Sequence, residues 1–66
     1  MNNELANRIV HQIKSCDIHL NEIAAIIEDI EDLDEKKKMR RRLGNVFSEI
    51  YEILRPIEIE HPSLKI

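Results

Sequence analysis

Cysteine is nearly absent from this 66-residue sequence, in which Cys16 is the only thiol. One cysteine excludes an intrachain disulfide. A chain this short buries only a small fraction of its surface, so a solitary fold is marginally stable without a disulfide, a metal or a partner subunit. A lone cysteine is also typical of the reducing cytoplasm, where we expect the protein to reside. The sequence favours self-association as the source of the additional stability.

Long apolar runs are missing as well. The N-terminal residues lack the apolar core of a secretory signal peptide, and no run approaches the length that a membrane-spanning helix needs. The formal net charge is −3, which gives no general attraction to nucleic acid or to a membrane surface. The composition therefore disfavours both of these partners.

Glycine and proline are scarce, and tryptophan is absent. Gly44 is the only glycine, and the two prolines, Pro56 and Pro62, come late in the chain. Charged residues make up 35% of the sequence, which is high for a globular domain. This composition predicts a single all-α domain.

Two runs of apolar residues recur with alternating steps of three and four, the heptad pattern of packed or coiled-coil helices. The first run comprises Ala6, Ile9, Ile13, Cys16, Leu20, Ile23, Ile27 and Ile30. The second run comprises Met39, Leu43, Val46, Ile50, Ile53 and Ile57. The pattern predicts two amphipathic helices, over about residues 3–31 and 33–55.

The connection between the helices could be a turn or a continuous rod. Nine residues separate Ile30 from Met39, and at about 100° per residue this places the two heptad runs on opposite sides of a continuous helix. A hairpin lets the runs face each other, and Asp32 is suited to cap a second helix. No glycine or proline marks the turn, and acidic residues crowd the end of the first helix, which argues against the hairpin. We favour an antiparallel hairpin with its turn within residues 31–34.

Pro56 predicts the end of the second helix near Arg55, because proline lacks the amide hydrogen that a helix interior needs. A kinked helix that continues to about Ile59 is the alternative. The remaining tail, residues 56–66, is expected to be extended and to lie along the bundle or a partner. Its HPSL segment is either a recognition motif or a chain end.

Residues 28–42 carry six acidic side chains followed by six basic ones. A docking site for phosphate or nucleic acid would use the clustered bases, namely Lys36, Lys37, Lys38, Arg40, Arg41 and Arg42. A solvated hairpin tip, in which the acids neutralise the bases, is the simpler interpretation and the one that we favour.

A further row on the second helix, which we call the aromatic stripe, contains Arg40, Gly44, Phe47, Tyr51 and Leu54. Either it widens the core of the hairpin or it is a subunit interface. We favour an interface at Gly44, Phe47, Tyr51 and Leu54, because two helices cannot enclose so broad an apolar arc. Alternatively, the three arginines with Phe47 and Tyr51 bind a small anionic ligand such as a nucleotide.

No arrangement of residues indicates catalysis, a metal site or a cofactor. Cys16 and His19 have no CxxC or HExxH context, and no glycine-rich phosphate loop is present. The sequence therefore predicts a non-enzymatic homo-oligomeric interaction module, such as a regulator, inhibitor or adaptor. Its partner is another copy of itself or another protein. A ligand-binding oligomer and a nucleic-acid-binding accessory protein are the second and third interpretations.

Overall fold

The computed structural model describes residues 1–64, which form two α-helices that pack against each other as an antiparallel hairpin. Helix α1 is Asn3–Ile27 and helix α2 is Leu33–Glu60. The molecule is elongated, with extents of 46 × 17 × 14 Å. Strands are absent from these 64 residues, so the predicted all-α hairpin is confirmed.

Helix α1 ends four residues before the predicted boundary at residue 31, so the turn comprises residues 28–32 and not the predicted 31–34. Its start is capped by Asn2, whose side-chain oxygen accepts a hydrogen bond from the Leu5 amide at 2.8 Å. At its other end the amide of Asp29 donates to the Ile26 carbonyl and that of Ile30 to the Ile27 carbonyl. These tight bonds close the last turn, and the acidic side chains that follow disfavour extension at the negative helix end.

Helix α2 starts where a capping residue was predicted. Asp32 Oδ1 accepts hydrogen bonds from the amides of Asp34 at 2.9 Å and Glu35 at 3.1 Å. Asp34 and Glu35 also place negative charge in the first turn, where the helix dipole favours it. The cap reverses the chain without glycine, and no residue from 1 to 64 has a positive φ.

Helix α2 continues through Pro56 to Glu60, five residues past the predicted end at Arg55. Pro56 is exposed, while Ile57 is only 2% exposed and anchors this turn in the core. The apolar contact of Ile57 offsets the hydrogen bond that proline cannot donate. The expected extended tail is thus partly helical, and Leu64 packs back against the core. Residues 65–66 lie outside the described residues.

The hairpin core is small. Only five apolar side chains from residues 1–64 are buried, namely Ala6, Val10, Ile27, Leu54 and Ile57. Four of them form one cluster at the open end of the hairpin, against which other side chains are partly buried, namely Ile9, Ile13, Ile50 and Leu64. This end of the hairpin therefore contains most of the packing that holds the two helices together.

The face of α2 that contacts α1 is rotated from the predicted one. Val46 and Ile53, expected in the seam, are exposed, whereas Phe47 is half-buried and Leu54 is buried. The seam of α2 therefore contains Leu43, Phe47, Ile50, Leu54 and Ile57, which also follow heptad steps. Leu54 and Ile57 share one buried cluster with Ala6 and Val10 of α1.

Candidate functional site

One side of the hairpin is an apolar face built from both helices. On α1 it contains Leu5, Ile9, Ile13 and Ile23, and on α2 it contains Met39, Val46 and Ile53. Ile53 lines an open groove of about 680 Å³ together with the α1 residues Leu5, Ile9 and Ile13. The groove places Ile53 beside the α1 row, and the heptad spacing of Met39, Val46 and Ile53 puts the other two on the same side of α2.

Exposed apolar side chains outnumber buried ones. Eleven large hydrophobic residues from the described part of the chain are exposed, compared with five buried apolar residues. The accessible surface of the chain is 5381 Å². Folded monomers of its mass, 7.8 kDa, expose about 4,400 Å². The hairpin thus exposes about 1,000 Å² more surface than a compact monomer.

The aromatic stripe lies on the other side of the hairpin. Phe47 and Tyr51 line a groove of about 330 Å³ with the polar residues Lys14, Asp17 and Asn21 of α1. Tyr51 is 63% exposed, and Phe47 is half-buried. This side is polar along α1, so the predicted interface residues Phe47 and Tyr51 are separated from the larger apolar face.

Two other predicted interface residues have different surroundings. Leu54 is 7% exposed and belongs to the core between α1 and α2, so its side chain is not available to a partner in this hairpin. Gly44 is exposed, and a Cβ atom built on it would meet nothing within 4 Å. Among residues 1–64, no backbone approaches this position closely enough to require glycine.

The three candidate arginines do not converge on one site. Successive helical residues are rotated by about 100°, so Arg40, Arg41 and Arg42 leave α2 in three directions. Arg40 lines a groove of about 210 Å³ with Gly44 and Phe47. The predicted ligand-binding set is therefore assembled only in part, through Arg40 and Phe47.

Arg40 already has an anionic partner in the chain. Its Nε donates to Glu28 Oε1 at 2.8 Å, and a second guanidinium nitrogen donates to Glu28 Oε2. The hydrogen bonds with Arg40 hold the pKa of Glu28 below its usual value, and those with Glu28 raise the pKa of Arg40. A ligand phosphate would have to displace this carboxylate to reach Arg40.

A second polar cluster closes the open end of the hairpin. The Met1 ammonium contacts Glu60 Oε1 at 2.7 Å, and His61 Nε2 lies 3.0 Å from the Met1 carbonyl oxygen. The hydrogen bond from Met1 lowers the pKa of Glu60. These contacts connect the two ends of the described chain and do not involve the apolar face.

Within residues 1–64, no three His, Cys, Asp or Glu side chains gather in a group that could hold a metal ion. In the same range, neither helix combines the length and apolar character that crossing a bilayer requires. Comparisons of the chain with protein-family models, curated proteins and solved structures gave no significant match.

Proposed function

We propose that this chain is a small, non-enzymatic protein-interaction module that associates with copies of itself into a helical bundle. The apolar face supports this proposal, because it leaves Leu5, Val46 and Ile53 exposed to water. Burying apolar surface contributes about 25 cal/mol per Å². A second hairpin supplies the two further helices that close a four-helix bundle.

The biological role that fits such a module is that of a regulator, inhibitor or adaptor. Helix faces of this type act by docking an amphipathic helix of a partner through apolar anchors. Another protein with a matching helix can then occupy the face that a second copy covers in the homo-oligomer. The exchange between these two occupants would regulate the partner, without chemistry performed by the chain itself.

Thermal unfolding at several protein concentrations tests the proposal. Association stabilises only the folded state, so we expect the Tm of the wild-type chain to rise with concentration. Val46→Glu should abolish this dependence, because it places a charge in the middle of the apolar face. Ile59→Glu is the matched control, since Ile59 is 76% exposed and lies outside that face. A concentration-independent Tm for the wild-type chain would contradict the proposal.

Binding of a small anionic ligand is the second candidate function. The groove that contains Arg40, Gly44 and Phe47 supports it, because a guanidinium beside an aromatic ring suits both phosphate and base. Because the Glu28 carboxylate accepts hydrogen bonds from the Arg40 guanidinium, it competes with a ligand phosphate for that group. We therefore expect the Glu28→Gln variant to bind nucleotides more tightly than the wild-type chain. Calorimetry with a panel of nucleotides measures this, and no heat with either protein would exclude this function.

Nucleic-acid binding is the third candidate and has the least support. Three of the six bases are on one short run, Arg40 to Arg42, but acidic residues precede them and one arginine is paired with Glu28. Binding of this type should weaken steeply as salt concentration rises, whereas association through an apolar face should not. The salt dependence of any complex therefore separates the two modes.

A further inference from the structure

The exposed apolar residues of α2 form a row that is centred on the helix. Met39, Val46 and Ile53 follow one another at intervals of seven residues, which returns each side chain to nearly the same side of a helix. Helix α2 is Leu33–Glu60, so Val46 lies at its middle. Met39 and Ile53 are equally distant from that point, in opposite directions.

A row with this spacing can pack against an identical row that runs in the opposite direction. If a second α2 packs antiparallel about a two-fold axis at Val46, Met39 of each copy faces Ile53 of the other. Such a contact is isologous, so the same patch serves both copies and the assembly closes as a dimer. The groove beside Ile53, lined by Leu5 and Ile9, would receive the Met39 side chain, whose flexibility suits an irregular apolar gap.

The charges that flank the row select the same arrangement. At about 100° per residue, Arg42 and Glu49 lie on one flank of the row, away from α1. Arg42 lies four residues before Val46 and Glu49 lies three residues after it, so an antiparallel partner places Arg42 of each copy next to Glu49 of the other, offset by about 1.5 Å along the helix. Neither side chain has an ion-pair partner within the described residues. A parallel partner would instead place this flank of the two copies on opposite edges of the interface, where Arg42 and Glu49 could not pair.

The available area also matches a second copy. The chain exposes 5381 Å², about 1,000 Å² more than expected for a compact monomer of its mass. A stable dimer interface buries about 800 Å² per partner. The surplus surface is therefore large enough for one interface of ordinary size.

Building on the self-association proposed above, we propose that a second copy of this chain covers the apolar face. The two α2 helices run antiparallel about a two-fold axis at Val46. Met39 packs against Ile53 and Arg42 pairs with Glu49 across the interface, each contact occurring twice. The aromatic stripe faces away from this contact.

Cysteine cross-linking of the full chain tests the geometry, with Cys16→Ser as the background. Val46→Cys should form a disulfide-linked dimer with itself under mild oxidation, because position 46 lies on the axis. Met39→Cys alone should not, since the two copies of position 39 would be about 21 Å apart along the helices. A mixture of Met39→Cys and Ile53→Cys chains should cross-link as a heterodimer. Self-cross-linking of Met39→Cys would instead indicate a parallel arrangement and overturn the proposal.

Charge reversal tests the predicted ion pair independently. Arg42→Glu and Glu49→Arg should each weaken dimerisation about fivefold, as expected for two exposed pairs of modest strength. The double variant should restore the wild-type dissociation constant. Arg41→Glu, which changes the net charge equally but lies on another side of α2, should leave that constant unchanged.

The outcomes distinguish the antiparallel α2 interface from self-association in general. A chain that is monomeric at every concentration contradicts both. A chain that associates, yet neither cross-links through Val46→Cys nor regains affinity in the double charge variant, retains self-association but overturns the antiparallel α2 interface. Circular dichroism of each variant verifies that its helices remain folded, so that a loss of association reports on the interface.

Discussion

Arg40 reaches back across the turn to Glu28, with 2.8 Å between Arg40 Nε and Glu28 Oε1. The pair joins the residue that follows α1 to the second turn of α2. Nearby, Lys38 Nζ lies 3.4 Å from Asp34 Oδ2 within α2. The charge-rich stretch of residues 28–42 thus forms a hairpin tip in which acids contact bases of the same chain.

The Glu28–Arg40 pair makes the stability of the hairpin depend on pH. The pKa of Glu28 is lower in the folded chain than its ordinary value of 4.5. The pair therefore stabilises the fold fully at pH values above 4.5. The contribution is lost as the pH falls through the lowered pKa. We expect Glu28→Gln to lower the Tm at neutral pH, and this difference from the wild type to shrink on acidification. Glu31→Gln controls for the loss of one acidic charge at the tip.

Removal of the α2 cap should weaken the hairpin. Asp32→Ala leaves the amides of Asp34 and Glu35 without their acceptor, which costs about 1 kcal/mol. Asp29→Ala removes the same side chain from an exposed turn position that has no cap. It should change the free energy of unfolding by less than about 0.5 kcal/mol. Equal effects of the two substitutions in urea denaturation would contradict the role of Asp32.

The sequence predicted the hairpin and its cap because heptad spacing and Asp32 act locally. It could not identify the contact face of α2, because the row of Leu43, Ile50 and Ile57 has apolar neighbours on both flanks. Val46 and Ile53 lie on one flank, and Phe47 and Leu54 lie on the other. Packing against α1 decided in favour of Phe47 and Leu54, which left Val46 and Ile53 exposed. The interface was consequently predicted on the aromatic stripe, whereas the larger exposed apolar surface is on the opposite flank.

The end of α2 was predicted too early for a related reason. The missing amide hydrogen of Pro56 predicts the end of the helix at Arg55. The burial of Ile57 one residue later is a tertiary contact that local propensity does not include. Local rules therefore located the cap and the start of α2, but they failed at the end of α1 and where the core determines the structure.

The neighbours Ile53 and Leu54 provide a matched test of the two surfaces. Leu54 is 7% exposed and Ile53 is 51% exposed. Leu54→Ala should destabilise the hairpin by about 2–5 kcal/mol, because it leaves a cavity between the helices. Ile53→Ala should retain helicity and instead weaken association. Circular dichroism and sedimentation of both variants distinguish these effects, and loss of helicity in Ile53→Ala alone would contradict the assignment.

Substitution of Gly44 tests whether the aromatic stripe forms a subunit contact. A Cβ atom at this position meets nothing in the hairpin, so Gly44→Ala should increase the free energy of unfolding by about 0.5–1 kcal/mol through helix propensity alone. The dissociation constant of the dimer should not change, because Gly44 lies away from the apolar face. Weaker association of Gly44→Ala would instead place a subunit contact on the aromatic stripe.

Sedimentation equilibrium of the full chain over a range of micromolar concentrations tests the central claim most directly. We expect a molar mass that increases with concentration towards twice the 7.8 kDa of the single chain. A mass that stays at 7.8 kDa throughout would show that the apolar face does not recruit a second copy.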